Sequence, residues 1–200
     1  MKILRFSWRL GSNLKLNLWG SPKSHKTFLG NEFSMRILGV DPGTINLGYG
    51  VVDDEEEMHM VDCGVIKLPA RLPMEERLRS LYSELNKIIA RHKPNEVAIE
   101  EPFIGHNVRS AFAIGKAQAI AILAAVNQGL PVYYYSPAKV KKQITSYGQS
   151  DKQQVQEMVR VQLGLSELPQ PSDAADALAV AMCHIQQRRL NQWLTEHTSR

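Results

Sequence analysis

The order of its apolar runs constrains this chain more than any other feature. Three short runs, Arg36 to Val40, Leu47 to Asp53 and His59 to Lys67, follow closely on one another, and the acidic turn Asp54-Glu-Glu-Glu57 separates the last two. Such spacing predicts three strands in an antiparallel meander. The pattern then changes. Met74 to His92 carries Leu78, Leu81, Leu85, Ile88 and Ile89 at helical spacing ahead of Pro94, and Glu96 to Glu100 reads as a fourth strand. An Ala-rich helix over Asn107 to Gln128, a Gly129-Leu-Pro131 turn and a fifth strand over Val132 to Tyr135 follow. Helices are expected at about Pro137 to Ile144, Asp151 to Leu163 and Ser172 to Leu190. A meander followed by α-β-α-β elements predicts an α/β domain, with a five-stranded mixed sheet flanked by helices on both faces. Strands one and four should be neighbours. If they run parallel, their C-terminal ends meet at the edge where open α/β sheets bind ligands.

Acids stand at the ends of these elements. Asp41 follows the first apolar run and opens Asp-Pro-Gly-Thr, Glu100 closes the fourth strand, and Asp173 and Asp176 lie three apart at the start of the last helix. Positions i and i+3 share one helix face about 5–6 Å apart. Each acid has an ordinary explanation of its own. Asp-Pro-Gly is common turn chemistry, and Ser172 with Asp173 suits a helix N-terminus. Glu100 is harder to explain so, because a charge closing a buried strand is costly unless it is paired or binds metal; the adjacent Glu101 leaves open which of the two points inward. As a set the four repel one another and imply a cation. No His/Cys set is available, and hard oxygen ligands favour Mg²⁺ or Mn²⁺. Two such ions about 3.5–4 Å apart can activate water and stabilise the leaving oxygen of a phosphodiester.

Composition excludes several classes. Only Cys63 and Cys183 occur, without zinc or disulfide spacing, so a reducing compartment, the cytoplasm, is expected. No secretory signal is present and no segment is expected to span a membrane. The net charge of +4 is unevenly spread: residues 1–34 hold six basic side chains against Glu32 alone, which leaves residues 35–200 near −1. The domain therefore cannot hold nucleic acid by overall basicity. Residues 1–34 lack periodicity and are interrupted by Gly11, Gly20, Pro22 and Gly30. They are expected to be a disordered extension ahead of a natural start at Met35, with an organelle transit peptide or a partner-binding tail built on Trp8 and Trp19 as alternatives. The domain is placed at residues 35–191, with a flexible tail over 192–200.

Val40-Asp-Pro-Gly-Thr44 with Gly48-Tyr-Gly50, Ala98-Ile-Glu-Glu-Pro-Phe103, Ala124-Ala-Val-Asn-Gln128 and Asp173-Ala-Ala-Asp-Ala-Leu-Ala179 together resemble the RuvC-type crossover junction endodeoxyribonucleases. The resemblance covers about Met35 to His184. It implies a ribonuclease H-like fold and a homodimer that resolves Holliday junctions with Mg²⁺ by paired symmetric nicks, in company with a branch-migration motor of the RuvA/RuvB kind. By residue match it makes Asp41, Glu100, Asp173 and Asp176 the metal-binding catalytic acids. A twofold dimer on the long Ala-rich helix would cover that helix's second apolar face; a helix sandwiched within the domain would do so equally.

DNA contacts would have to be local. Lys139, Lys141, Lys142 and Lys152 cluster ahead of the acidic helix and could neutralise phosphates; the resemblance favours that reading over a solvated helix face, since Lys141 and Lys152 match basic positions of the family. Arg109 and Lys116 are weaker candidates. Phe103, three residues after Glu100, reads alone as core packing; the resemblance associates it with junction DNA, on which it could stack. Two other functions share parts of this pattern. An actin-like or sugar-kinase phosphotransferase also uses an Asp-x-Gly-Thr turn, though this chain is short for two lobes. A ribonuclease H-like nuclease acting on RNA or simpler branches would share the acids.

Overall fold

The computed structural model describes residues 35–102, 108–148 and 150–198. Strands β1 (Met35–Asp41), β2 (Asn46–Asp54) and β3 (Met58–Lys67) form the antiparallel meander. Helix α1 (Met74–His92) leads to β4 (Glu96–Glu100), and α2 (Val108–Asn127) leads to β5 (Val132–Tyr135). The chain closes with α3 (Pro137–Thr145), α4 (Lys152–Gln162) and α5 (Ser172–Thr198). The sheet order is β3-β2-β1-β4-β5, with β1 parallel to β4 and β4 parallel to β5. The expected mixed five-stranded sheet is thus present, and its C-terminal edge carries both Asp41 and Glu100.

Alternating side chains serve two cores, as the period of two along a strand requires. Leu38, Val40, Val97 and Ile99 point to α1 and α2, whereas Ile37 and Ala98 point to α3, α4 and α5. Between Ala174 and Ile185 the last helix is buried on nearly every side, because it lies between the sheet and α3 with α4. Alanines at 174, 175, 177, 179 and 181 let it approach closely. The sheet makes room as well. A Cβ at Gly39 would come 2.1 Å from the Ala177 carbonyl oxygen, and one at Gly48 would come 2.0 Å from that of Asp173. Both distances are below any real contact, so only glycine admits the helix there.

At the opposite end, Arg36 makes a paired ion bridge to Asp53, Nε–Oδ1 2.7 Å and Nη2–Oδ2 2.8 Å, and donates to the His92 carbonyl at 2.9 Å. These bonds tie β1 to β2 and to the end of α1. His184, 1% exposed, hydrogen-bonds Tyr135 Oη at 2.7 Å and Glu96 at 2.6 Å, joining α5 to β5 and β4.

Two expectations need correcting. Helix α5 runs on to Thr198, beyond the expected end at about Leu190; its last turns are exposed, with Trp193 stacked on His197 at 4.5 Å. By length and composition α2 is apolar enough to cross a membrane, against the expectation that no segment is. Its face bearing Ala117, Ala121, Ala124 and Ala125 is buried in the core shared with α1 and the sheet.

Candidate metal centre

Asp41 and Glu100 are brought together by strand register. Val40 pairs with Ile99, so the next residue on each parallel strand is an acid, and both point to the α5 side of the sheet. Across the other neighbour, Asp41 pairs with Gly48, and Gly48 lies beneath the backbone of Asp173. That contact places the first turn of α5 over the end of β1. One carboxylate oxygen each from Asp41, Asp173 and Asp176 then lies within 4.8 Å of the others. Glu100 stands at the side of this triplet and lines a cavity of about 170 Å³ with Lys141, Lys152 and Asp176. The neighbouring Glu101 is exposed, its N–H donating to the Tyr135 carbonyl at 2.9 Å, so Glu100 is the inward acid.

Burial and mutual repulsion act on the protons. Desolvation, reinforced by the charges of Asp176 and Asp173, pushes Asp41 up to about 7. Desolvation with the charges of Asp41 and Asp176 pushes Glu100 up to about 8. Asp176 is also raised by burial, against the opposing pull of Lys152. Carboxyls so displaced share too much negative charge for their volume. Hard oxygen donors converging from three chain segments fit a hard divalent cation. The cluster therefore fits a metal.

Lys152 reaches into the acidic cluster itself. Its Nζ lies 2.6 Å from Asp176 Oδ2 and 3.5 Å from Asp173 Oδ1, within the acidic cluster. The site thus contains a cation of its own, which the sequence motifs did not reveal. The capping box of Asp151 and Gln154 sets the start of α4 and so the position of Lys152. Lys141 faces the cavity, while Lys139 and Lys142 are exposed on α3, with Lys139 Nζ 5.0 Å from the centre of the Tyr135 ring. Arg109 and Lys116 are exposed on α2. Phe103 lies outside the described residues. Sequence reading missed the docking role of Gly39 and Gly48; the pattern Gly48-Tyr-Gly50 was visible, but its purpose needed α5 overhead.

Comparison with known proteins is consistent with this geometry. The family model described as crossover junction endodeoxyribonuclease RuvC matches residues 37–184. A crossover junction endodeoxyribonuclease RuvC of Dehalococcoides mccartyi strain BAV1 is 48% identical over 163 residues, covering 81% of this chain and 98% of the relative. That of Chloroflexus aggregans is 50% identical over 151 residues, 75% of this chain and 92% of the relative. The structure of Thermus thermophilus RuvC in complex with Holliday junction substrate superposes with a TM-score of 0.75 at 35% identity, covering 78% of this chain and 96% of that one. The yeast mitochondrial Holliday junction resolvase Ydc2, 15% identical with a TM-score of 0.59, shares the fold. With the match spanning every strand but the first two residues of β1 and the whole acidic first turn of α5, the chain belongs to the RuvC family of crossover junction endodeoxyribonucleases.

Proposed function

We propose that this protein is the endonuclease that resolves four-way DNA junctions, with Asp41, Glu100, Asp173 and Asp176 as its catalytic acids. The observation that carries the proposal is the convergence of three carboxylates within 4.8 Å at the sheet edge, beside a fourth whose proton is held by burial and by the charges of Asp41 and Asp176. These acids would hold Mg²⁺, with Mn²⁺ as the alternative ion. When bound, the metal supplies Lewis acidity at the phosphodiester and lowers the pKa of water.

The protein's own residues do the rest. Asp41 and Glu100 are fixed by the parallel register of β1 and β4, and Asp173 and Asp176 by the docking of α5, so the donor set is assembled before substrate arrives. Lys152 lies against Asp176 and Asp173 and offers a positive charge that a phosphate can take over. Lys141 stands on the cavity wall, and Lys139 and Lys142 extend the positive surface outward along α3.

A homodimer is the assembly that α2 supports. Phe112, Lys116, Ala119, Leu123 and Val126 recur at spacings of four and three along its exposed side, and Phe112 is 70% exposed. A stripe of that spacing packs against a second copy of itself about a twofold axis. Two centres related by that axis would give paired nicks in like strands. The family likeness supports a branch-migration motor of the RuvA/RuvB kind as a further partner, and the free thiols of Cys63 and Cys183 suit the reducing cytoplasm.

The test is a cleavage panel of four-way junctions, linear duplex and RNA–DNA hybrids in Mg²⁺. Selective, paired cutting of the junction is expected, abolished in Asp41→Asn and Glu100→Gln while junction binding persists. Undiminished cutting by those variants would overturn the assignment.

A further inference from the structure

A buried chain of polar side chains joins β5, α5 and β4, and the four acids do not account for it. His184 is 1% exposed and Tyr135 4%. Tyr135 Oη lies 2.7 Å from His184 Nδ1, and His184 Nε2 lies 2.6 Å from Glu96 Oε2, which Arg188 Nε approaches to 3.4 Å. The protons have one consistent placement. Burial lowers the His184 pKa against the pull of Glu96, so the ring is neutral near pH 7 and carries a single N–H. The Glu96 carboxylate can only accept, which puts that N–H on Nε2 and leaves Nδ1 bare. Tyr135, whose phenol is kept protonated by burial, therefore donates to His184. A satisfied network withdrawn from water is stiff.

Tyr135 stands where that stiffness reaches the metal centre. It is the ladder partner of Glu100, it packs on the α5 side of the sheet to which Glu100 also points, and its carbonyl accepts the Glu101 N–H at 2.9 Å. One residue on, Ser136 accepts the Lys139 N–H at 3.4 Å and starts α3, which carries Lys141 to the cavity that Glu100 lines. Burial raises the Cys183 thiol while the charges of Lys139 and Glu100 act on it, so the turn of α5 that holds His184 lies near both.

We propose that Tyr135, anchored to α5 through His184, is a positioning residue for Glu100 in metal binding. This inference rests on the proposed function and deepens it. With the hydroxyl held, β4 and β5 are fixed against α5, so Glu100 from the sheet and Asp176 from the helix keep one separation. Tyr135 acts through the β4–β5 ladder and not as a ligand.

The experiment is calorimetric titration of the full-length protein with Mn²⁺, alongside junction binding in Ca²⁺ and single-turnover cutting in Mg²⁺. Tyr135→Phe keeps the ring and removes the hydroxyl. It should bind Mn²⁺ about 10-fold more weakly, the lower end of the range for groups that orient a metal's ligands, and cut more slowly, with junction affinity unchanged. Two histidine variants separate this tie from a general loss of packing. His184→Asn retains an amide near the Nδ1 position and so the bond to Tyr135, whereas His184→Gln reaches Glu96 instead. His184→Asn should keep most of the Mn²⁺ affinity, and His184→Gln should fall to the level of Tyr135→Phe. Circular dichroism establishes that each variant is folded, and the histidine pair decides if Tyr135→Phe is not. Wild-type Mn²⁺ affinity in Tyr135→Phe overturns the inference, as does equal loss in the two histidine variants. Wild type that binds Mn²⁺ yet cuts no junction defeats the proposed function, while the titration still decides the positioning role.

Discussion

The carbonyl of Asp173 rests on Gly48: a Cβ at residue 48 would come within 2.0 Å of its oxygen. Since Gly48 is the cross-strand partner of Asp41, this contact sets the distance between acids that are far apart in the chain. Gly48→Ala would ordinarily stabilise a chain slightly by restricting its unfolded state. Here it must lift the first turn of α5. We predict a loss of about 1–3 kcal/mol, the usual cost of overpacking, together with loss of Mg²⁺ binding. Chemical denaturation and calorimetric metal titration check both, and a variant of wild-type metal affinity would show that α5 is positioned otherwise.

Metal-free protein should lose stability as pH rises. Asp41 titrates near 7 and Glu100 near 8, both raised above their usual carboxylate values, so the folded state holds protons that the unfolded state releases. The stabilisation is complete below about pH 4 and disappears as pH rises through 7 to 8. Buried His184, whose pKa is lowered, works in the other direction below its ordinary value of 6.5, so the window from about pH 6.8 to 8.5 isolates the acids. In EDTA the Tm should fall across that window by at least about 2–4 °C, the shift that 1 kcal/mol makes in a domain this size. Mg²⁺ should raise the Tm more at pH 8.5 than at pH 6.8, and Glu100→Gln should flatten the EDTA profile. A level profile in wild type would show that the acids do not repel as their burial demands.

Lys152 competes with metal for the same carboxylates. Lys152→Gln removes a charge 2.6 Å from Asp176 and 3.5 Å from Asp173, at a position that is half exposed. Without DNA, the variant should bind Mg²⁺ or Mn²⁺ about 5-fold more tightly, as about 1 kcal/mol of relieved repulsion implies in a solvated site. Its cutting of junctions should nonetheless fall. Isothermal titration alongside single-turnover cleavage tests the pair of effects; weaker metal binding would mean that Lys152 organises the acids rather than competing for them.

The exposed stripe of α2 predicts a subunit change from one substitution. Leu123→Asp places a charge within that stripe, on a residue 47% exposed in the single chain. The fold should survive with an unaltered circular dichroism spectrum, while light scattering reports a monomer. Nicks should then appear one at a time. A dimeric Leu123→Asp protein would move the interface elsewhere.

Much of this architecture was legible because its periodicities are local. The helix expected over Met74 to His92 has those bounds, and the first three strands differ from expectation by at most a residue at each end. The extent of α5 was not legible. Beyond Leu190 there is neither proline nor glycine to stop the helix, and an exposed polar helix carries no periodic mark that separates it from a tail. Lys152 was visible as a base but not as a partner of Asp176, since a long side chain reaches whatever the fold brings near.

The sequence by itself determined the strand and helix order, the two-faced sheet and which acids end which elements, because these follow from patterns within a few residues of one another. Only the tertiary structure decided that Gly48 admits Asp173, that Glu100 rather than Glu101 turns inward, and that Lys152 joins the acids. Those outcomes depend on the separation of backbones remote in sequence and on the desolvation their packing imposes, neither of which is written in any one segment.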